Sequence, residues 1–310
     1  MKKLLIGLGK MGNCIARGWI DAGINDLCIM VKPGQIDVIA NEFPQIKVIS
    51  SISEIDFNPD IIFLAVKPHS IEDILKECAI FTNAIFVSFA VGIGVDCTRK
   101  ILGANSKVIR IMPNVSCMIG SGVMGGYAVG IDESIKIEIS KLFESLGSLH
   151  WLENENLIEA SAAFSGGLPA FIAYSANKFV RTFLDIGLKE KDVVFIVKNM
   201  ITEVIEFFSK NDEISIDENI NKYNNIFILL YYRWYLDGIS IGFQSKVAYK
   251  MLLETLRGTS SMLNNYLFND IIRMVASKGG TTEAGLNAMA NSPILAAHQR
   301  SLQLFRILQT

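Results

Sequence analysis

Closely spaced glycines near the start of the chain can bind a dinucleotide. The hexapeptide Gly7-Leu8-Gly9-Lys10-Met11-Gly12 follows the apolar run Lys3 to Ile6 and precedes the helical stretch Asn13 to Ala22. In such a turn the first glycine allows a sharp bend, the second lets a pyrophosphate approach the backbone, and the third lets helix and strand pack closely. Because the motif occupies the first strand-to-helix connection, all six residues are predicted to bind a dinucleotide cofactor.

The end of the second apolar run indicates which dinucleotide is bound. Enzymes that use NAD usually place Asp or Glu at this point, where the carboxylate binds the ribose hydroxyls. Here the run ends in Val31-Lys32-Pro33-Gly34, with no acidic residue. Lys32 would attract the additional phosphate of NADP, so the sequence favours NADPH, with NADH as the alternative cofactor.

Two further apolar runs end in polar residues and prolines. One ends in Ala65-Val66-Lys67-Pro68-His69 and the other in Arg110-Ile111-Met112-Pro113-Asn114. Ligands of open parallel sheets bind beyond the carboxyl ends of the strands. Both segments are therefore predicted to line the cofactor crevice.

A glycine pair near the C-terminus precedes another helix. The segment is Ser277-Lys278-Gly279-Gly280-Thr281-Thr282, followed by Glu283-Ala284-Gly285-Leu286. Free backbone N–H groups at a helix start suit a small carboxylate. An ordinary glycine turn with a threonine cap is the alternative interpretation.

The elements that must position these motifs follow from the periodicity. Short apolar runs alternate with helix-length segments up to about Leu152, which predicts βαβ units, a parallel sheet and a Rossmann-type domain over residues 1–152. After Glu153 the spacing is helical, which predicts an all-α domain over residues 153–310. The predicted strands are Lys3 to Ile6, Asp26 to Val31, Ile61 to Ala65, Ala84 to Phe89 and Lys107 to Ile111.

The helical half contains two unusual stretches. An insertion is predicted around residues 189–225, and its polar part from Lys210 to Asn225 is interpreted as a loop between helices. The apolar stretch Ile226 to Tyr232 is too short to span a bilayer and is followed by Arg233 and Asp237, so it is predicted to be a buried helix.

Composition narrows the class of protein. With 29 basic and 31 acidic residues among 310, the chain lacks the positive charge that binds nucleic acid or anionic lipid. Half of the residues are hydrophobic, which predicts a homodimer or higher homo-oligomer that buries the apolar excess between subunits. The five cysteines form no CxxC pair and indicate neither disulfides nor a metal site. A cytoplasmic protein with a small-molecule substrate and no nucleic-acid or membrane partner is expected.

Taken together, the four motifs resemble those of the pyrroline-5-carboxylate reductase family, from Lys3 to about Met289. The resemblance implies hydride transfer from NADPH to 1-pyrroline-5-carboxylate, yielding L-proline, within a Rossmann domain followed by an intertwined helical dimerisation domain. It implies that Thr282 is catalytic and that Ala65, Lys67 and Pro68 border the nicotinamide. Further residues are implied to bind the substrate, namely Met112, Asn114, Glu155, Ser277, Gly279, Gly280, Thr281 and Thr282.

The chain also departs from the family pattern. Where relatives read Ser-Gly-Ser-Gly-Pro-Ala, this chain has Ser165-Gly166-Gly167-Leu168-Pro169-Ala170, and Lys278 stands at a usual proline. Gly167, Leu168 and the insertion leave a cofactor-binding regulatory homologue without catalysis as one alternative. The other alternative is a different NADP-dependent imine reductase, or a β-hydroxyacid dehydrogenase that uses Lys178 as its catalytic lysine.

Overall fold

The N-terminal half is one twisted sheet with helices on both faces. The computed structural model describes residues 1–213, 215, 216, 220, 225–289 and 291–307. The strands are β1 (Lys3–Ile6), β2 (Leu27–Met30), β3 (Lys47–Ile49), β4 (Ile61–Leu64), β5 (Ile85–Ser88), β6 (Lys107–Met112), β7 (Gly122–Ala128) and β8 (Gly147–Trp151). Their order is β3-β2-β1-β4-β5-β6-β7-β8, and β7 and β8 run antiparallel to the other six. The predicted Rossmann-type parallel sheet is confirmed.

Alternation along the strands explains why both faces are covered. On β1, Leu5 belongs to one apolar cluster, whereas Leu4 and Ile6 belong to the cluster on the opposite face. Strands that are buried on both sides read as continuous apolar runs, as they do here. The helices that cover the sheet are α1 (Lys10–Asp21), α2 (Ile36–Glu42), α3 (Ile71–Cys78), α4 (Val95–Leu102) and α5 (Glu133–Glu144).

The C-terminal half is helical, as the sequence predicts. Its helices are α6 (Asn156–Ala163), α7 (Leu168–Asp185), α8 (Glu190–Lys210), α9 (Ile226–Ser240), α10 (Ser245–Met262), α11 (Phe268–Val275), α12 (Thr281–Asn287) and α13 (Pro293–Ile307). The predicted buried helix at Ile226 to Tyr232 is confirmed, since it forms the first half of α9 and buries Phe227 and Tyr231. The last strand ends at Trp151 and α6 begins at Asn156, so the predicted boundary near Leu152 falls in this short connection.

The first part of the stretch predicted as an insertion is a helix. Residues Glu190–Lys210 form a helix that packs on α7 and α10. Its buried residues recur every three or four positions, which places them on one face: Val193, Val197, Ile201, Val204, Phe207 and Phe208. Of the following segment, which is predicted to be a loop, residues 214, 217–219 and 221–224 lie outside the described residues, and Ile216 and Ile220 are buried in the helical core.

One helical stretch among the described residues, Asn156–Asp185, is long and apolar enough to cross a membrane by length and composition. It comprises α6 and α7, and 89% of its most apolar window is buried inside the protein. The buried residues of both helices belong mainly to the large apolar cluster of the helical half.

An aromatic cluster under the sheet gives a stability prediction. Phe63 on β4 is fully buried, and its ring lies 4.7 Å from Trp19 and 6.1 Å from Phe143. Phe63→Ala would remove these contacts and leave a cavity, so the free energy of unfolding should fall by about 3–5 kcal/mol. Denaturant unfolding measures it. Ile80→Ala, at a residue that is 69% exposed, is the control and should change stability little; equal losses in both variants would contradict the prediction.

Candidate active site

The glycine turn between β1 and α1 has the geometry that its spacing predicts. Gly7 has a positive φ of 92° and donates its N–H to Met30 O at 2.9 Å, so the chain turns sharply next to β2. A Cβ atom on Gly12 would lie 2.2 Å from Gly7 O, which means that only glycine lets α1 pack so closely on the turn. A Cβ on Gly9 would meet no atom within 4 Å. The second glycine therefore faces open space, the arrangement that a pyrophosphate close to the backbone requires.

The strand order brings further predicted residues beside this turn. From β1 the chain passes outward through β2 and β3 and then returns to β4 on the other side, so the carboxyl ends of β1 and β4 flank a switch point of the sheet. Ala65 and Val66 follow β4 and lie at this crevice. Lys32 and Lys67 are exposed residues that follow β2 and β4, respectively, and neither lines the cavity described next.

A cavity of about 580 Å³ lies at this switch point, between the sheet and the C-terminal helices. The sheet half contributes Met11, Ala65, Val66, Pro68, His69, Phe89, Ala90 and Val91. The helical half contributes Ser277, Lys278, Gly279, Gly280, Thr281, Arg300 and Leu304. The structure thus brings two motifs more than 200 residues apart to one cavity, of a size usual for ligand pockets, about 300–1,000 Å³.

Lys10, in the glycine turn, ties that turn to the C-terminal motif. Its Nζ donates hydrogen bonds to Arg273 O at 2.5 Å and Ala276 O at 2.7 Å, at the end of α11. A lysine at a helix C-terminus also interacts favourably with the helix dipole. The sequence predicts that Lys10 binds the cofactor. In the structure it does not line the cavity, and its side chain instead binds the segment directly before Ser277.

In the turn from Ser277 to Thr281, two backbone N–H groups are already hydrogen-bonded within the protein, although the sequence predicts free ones. Gly279, with a φ of +71°, donates its N–H to Glu283 Oε2 at 2.7 Å, and Gly280 donates to Ser277 O at 3.0 Å. The expectation of a free N–H at Gly280 is therefore wrong, because the turn closes on itself through that bond. Helix α12 begins at Thr281, directly after the glycine pair as predicted, and Thr282 is 6% exposed.

Glu155 belongs to a buried ion network that fixes the cavity wall. Its Oε1 accepts hydrogen bonds from Val95 N at 2.7 Å and Arg110 Nη1 at 3.1 Å. Arg110, 1% exposed, also donates through Nη2 to Glu159 Oε1 at 2.6 Å and to Ala90 O at 3.1 Å. Glu155 is predicted to contact substrate, but it does not line the cavity here, because its carboxylate is directed at the start of α4.

Glu159 completes this network, and sequence reasoning missed it. The side chain is fully buried, and its Oε1 also accepts from Gly92 N at 3.2 Å. Its Oε2 accepts from Ser301 Oγ on α13 at 2.6 Å. The sequence feature that could have revealed Glu159 is Arg110 within the apolar strand Lys107–Met112, since a charge buried in a sheet requires an acidic partner.

Met112 and Asn114 are predicted to bind the substrate, but neither lines the cavity. Asn114, 1% exposed, donates Nδ2 to Ser165 O at 3.1 Å, and its Oδ1 accepts from Val123 N at 3.2 Å. Met112 packs against Ile158 and Ala162 of α6. The reason is that α6 covers the carboxyl end of β6, so both side chains join the sheet to the helices.

Residues that motivated the alternative functions also lie outside the cavity. Lys178, the candidate hydroxyacid-dehydrogenase lysine, is exposed on α7 and its Nζ lies 5.5 Å from the Tyr174 ring centre. Leu168 is fully buried in the helical core. A Cβ on Gly167 would meet Ala163 O at 2.7 Å and the Phe171 ring at 2.9 Å, so this position is closed by packing.

The free space at Gly9 makes the cofactor turn testable. We expect Gly9→Ala to leave thermal stability unchanged, because its methyl group meets no protein atom, and to weaken NADPH binding roughly tenfold or more by blocking close approach to the backbone. The comparison is Gly12→Ala, which should lose stability as well as binding. Fluorescence titration with NADPH and thermal unfolding measure both. Unchanged NADPH affinity in Gly9→Ala would show that no cofactor phosphate approaches this residue.

The chain matches two known family models. Residues 226–304 match the model described as pyrroline-5-carboxylate reductase dimerisation, and residues 4–92 match that described as NADP oxidoreductase, coenzyme F420-dependent. Among curated relatives, the pyrroline-5-carboxylate reductase of Aquifex aeolicus is 26% identical, with 92% of this chain and 88% of that protein covered. That of Staphylococcus haemolyticus is 23% identical, with 96% and 92% covered.

Solved structures agree over nearly the whole length. The pyrroline carboxylate reductase of Plasmodium falciparum with NADP bound covers 98% of both chains, with 19% identity and a TM-score of 0.66. The pyrroline-5-carboxylate reductase of Coxiella burnetii covers 98% of both, with 20% identity and a TM-score of 0.65. These similarities establish the fold. Both halves match family models, and the relatives from Aquifex aeolicus and Staphylococcus haemolyticus align over more than nine-tenths of the chain, so the chain is similar to pyrroline-5-carboxylate reductases over nearly its whole length.

Proposed function

We propose that this chain reduces 1-pyrroline-5-carboxylate to L-proline with NADPH. The observation that carries the proposal is the single cavity shared by the β1–α1 side of the sheet and the Ser277–Thr281 turn. A reductase must hold a dinucleotide and a small imine together, and contributions from both halves meet this need. The curated relatives named pyrroline-5-carboxylate reductase support the same reaction.

The residues present fit the cofactor. Gly7, Leu8, Gly9 and Gly12 would hold the pyrophosphate at the start of α1, where Gly9 leaves the backbone open. Lys32 would attract the ribose phosphate, and Lys67 adds a second positive charge after β4, on the other side of β1. Met11, Ala65, Val66 and Pro68 line the cavity and would border the nicotinamide. When bound, the reduced nicotinamide supplies the hydride for the carbon–nitrogen double bond.

The substrate would lie against the C-terminal turn. Ser277, Gly279, Gly280 and Thr281 line the cavity, and Thr282 follows them at the start of α12. We propose that the Thr282 hydroxyl binds the imine nitrogen and helps to hold its proton. The apolar walls formed by Phe89, Val91 and Leu304 limit water at the reacting carbon, which strengthens these polar contacts.

The helical half would form the dimer. The dimerisation model matches residues 226–304, and α8 and α9 carry exposed apolar side chains that a monomer would leave in water. These are Phe195, Ile196, Ile226, Leu229, Leu236 and Ile239, between 37% and 65% exposed. We expect a homodimer or larger assembly, with the domain boundary near Leu152.

All five cysteines are free thiols in the structure. Burial raises the pKa of Cys117 and of Cys78 to about 12 and keeps these thiols protonated. Five free cysteines are usual for a reducing compartment, and we propose a cytoplasmic location for this protein.

A direct assay tests the proposed activity. Purified protein with NADPH should reduce 1-pyrroline-5-carboxylate, and 3-hydroxy acids with NADP should not be oxidised, because Lys178 lies away from the cavity. NADPH consumption and proline formation are measured together. Tight NADPH binding without turnover on any cyclic imine would reject the proposal in favour of a regulatory homologue.

Thr282 can be tested by a matched pair of substitutions. Thr282→Val keeps the shape but removes the hydroxyl, so kcat should fall about 2- to 10-fold, and further if the bond strengthens in the transition state. Thr282→Ser retains the hydroxyl and should restore most of the rate. Steady-state kinetics at saturating NADPH measure kcat. A Val variant as active as the Ser variant would remove Thr282 from catalysis.

Lys32 provides a test of cofactor choice. Lys32→Ala should raise the KM for NADPH about two- to fivefold, the effect expected of an exposed ionic contact. The KM for NADH, which lacks the phosphate, should change little and serves as the internal control. If both constants rise by the same factor, Lys32 does not recognise the phosphate.

A further inference from the structure

The cavity has a one-sided charge distribution. Lys278 and Arg300 line it, and none of its lining residues is Asp or Glu within the part of the chain that the structure describes. Most of the remaining lining residues are apolar or glycine. A cavity with fixed positive charges and apolar walls favours an anionic ligand.

Arg300 is held at the cavity by contacts on two sides. Its Nε donates to Gly279 O at 2.9 Å, and its Nη1 donates to Gln303 Oε1 at 3.4 Å. The next residue, Ser301, is fully buried and bonds Glu159 in the ion network. Since Ile294 and Ala297 on the same helix are also fully buried, α13 has a fixed position that directs Arg300 to the Gly279 turn.

The glycine turn alone supplies few donors. The N–H groups of Gly279 and Gly280 are already bonded to Glu283 and to Ser277 O. A carboxylate has about four acceptor positions, so the N–H groups at the start of α12 would leave some of them unsatisfied. A guanidinium can fill the remainder with two parallel, charge-assisted hydrogen bonds.

Lys278 is less suited to this task. Its side chain is exposed, whereas Arg300 is partly buried and already oriented by Gly279. When an exposed ammonium binds an anion, its side chain loses rotamer entropy and water screens the attraction between the two charges. Arg300 therefore carries the stronger interaction.

We infer that Arg300 binds the carboxylate of the substrate and makes the site selective for cyclic imines that carry one. The inference rests on the proposed reduction of pyrroline-5-carboxylate. The phosphate groups of NADPH offer the same anionic chemistry and are the alternative ligand, which the experiment must separate.

The test compares two rings in the wild type and in Arg300→Gln. The substrates are 1-pyrroline-5-carboxylate and 1-pyrroline, which lacks the carboxylate, and kcat/KM is measured for each at saturating NADPH. We expect the variant to lose about 10- to 100-fold on the carboxylate substrate, the effect of a hydrogen bond to a charged group, and to change less than about threefold on 1-pyrroline. NADPH affinity, by fluorescence titration, should stay the same.

Two further variants make the test specific. Arg300→Lys keeps the charge but loses the paired geometry, so it should retain part of the selectivity and guards against a Gln variant that fails to fold. Lys100→Gln removes an equally positive, exposed side chain from α4 and should leave both rings unaffected.

Several results would overturn the inference. Equal losses on both rings would mean that Arg300 only holds the Gly279 turn. A weakened NADPH affinity with selectivity intact would assign Arg300 to the cofactor phosphate. Wild-type protein that reduces both rings equally well would also reject it, while leaving imine reduction in place. If the wild type reduces neither ring, the proposed function itself fails, and the inference fails with it.

Discussion

The buried pair between Arg110 and Glu159 holds the two halves of the molecule together where the cavity forms. Its donor lies on β6 and its acceptor on α6, and Glu159 also reaches Ser301 on α13. Because Glu159 is fully buried, removing Arg110 would leave its carboxylate without a counter-charge, at a cost of about 3–5 kcal/mol. Arg110 also donates to Ala90 O, and Glu159 accepts from Gly92 N. The same pair therefore holds the segment of the cavity wall that contains Ala90 and Val91.

Close backbone contacts support the same arrangement. A Cβ on Gly18 of α1 would lie 2.4 Å from Cys117 O, and a Cβ on Gly258 of α10 would lie 2.4 Å from Ser121 O. Glycines thus let a helix from each half pack directly on the segment between β6 and β7. This packing, together with the hydrogen bonds of Asn114 to Ser165 O and from Val123 N, joins the helical half to the sheet.

Local pattern was sufficient for much of the fold. The five predicted strands are observed as β1, β2, β4, β5 and β6, since each is a β-branched or apolar run buried on both faces. Strands β3, β7 and β8 escaped prediction because β3 has three residues, β7 is rich in glycine and β8 includes Ser148 and His150. For the site, the motif spacing located the glycine turn and the start of α12. Arg300 and Glu159 could not be found this way, because their roles arise only when α13 folds back onto α6.

Two of the differences from the pyrroline-5-carboxylate reductase pattern, Gly167 and Leu168, lie in the helical core and do not line the cavity. The Phe171 ring contacts the space beside Gly167 and also that beside Gly285, where a Cβ would lie 2.4 Å from it. It packs edge-on against Trp234, with 6.2 Å between ring centres, so the ring cannot move easily. A serine at position 167 would collide with this ring, and Leu168 fills the core beside it. Because Gly285 belongs to α12, this packing joins the altered segment to the helix that begins at Thr281, whereas Lys278 lies at the cavity itself.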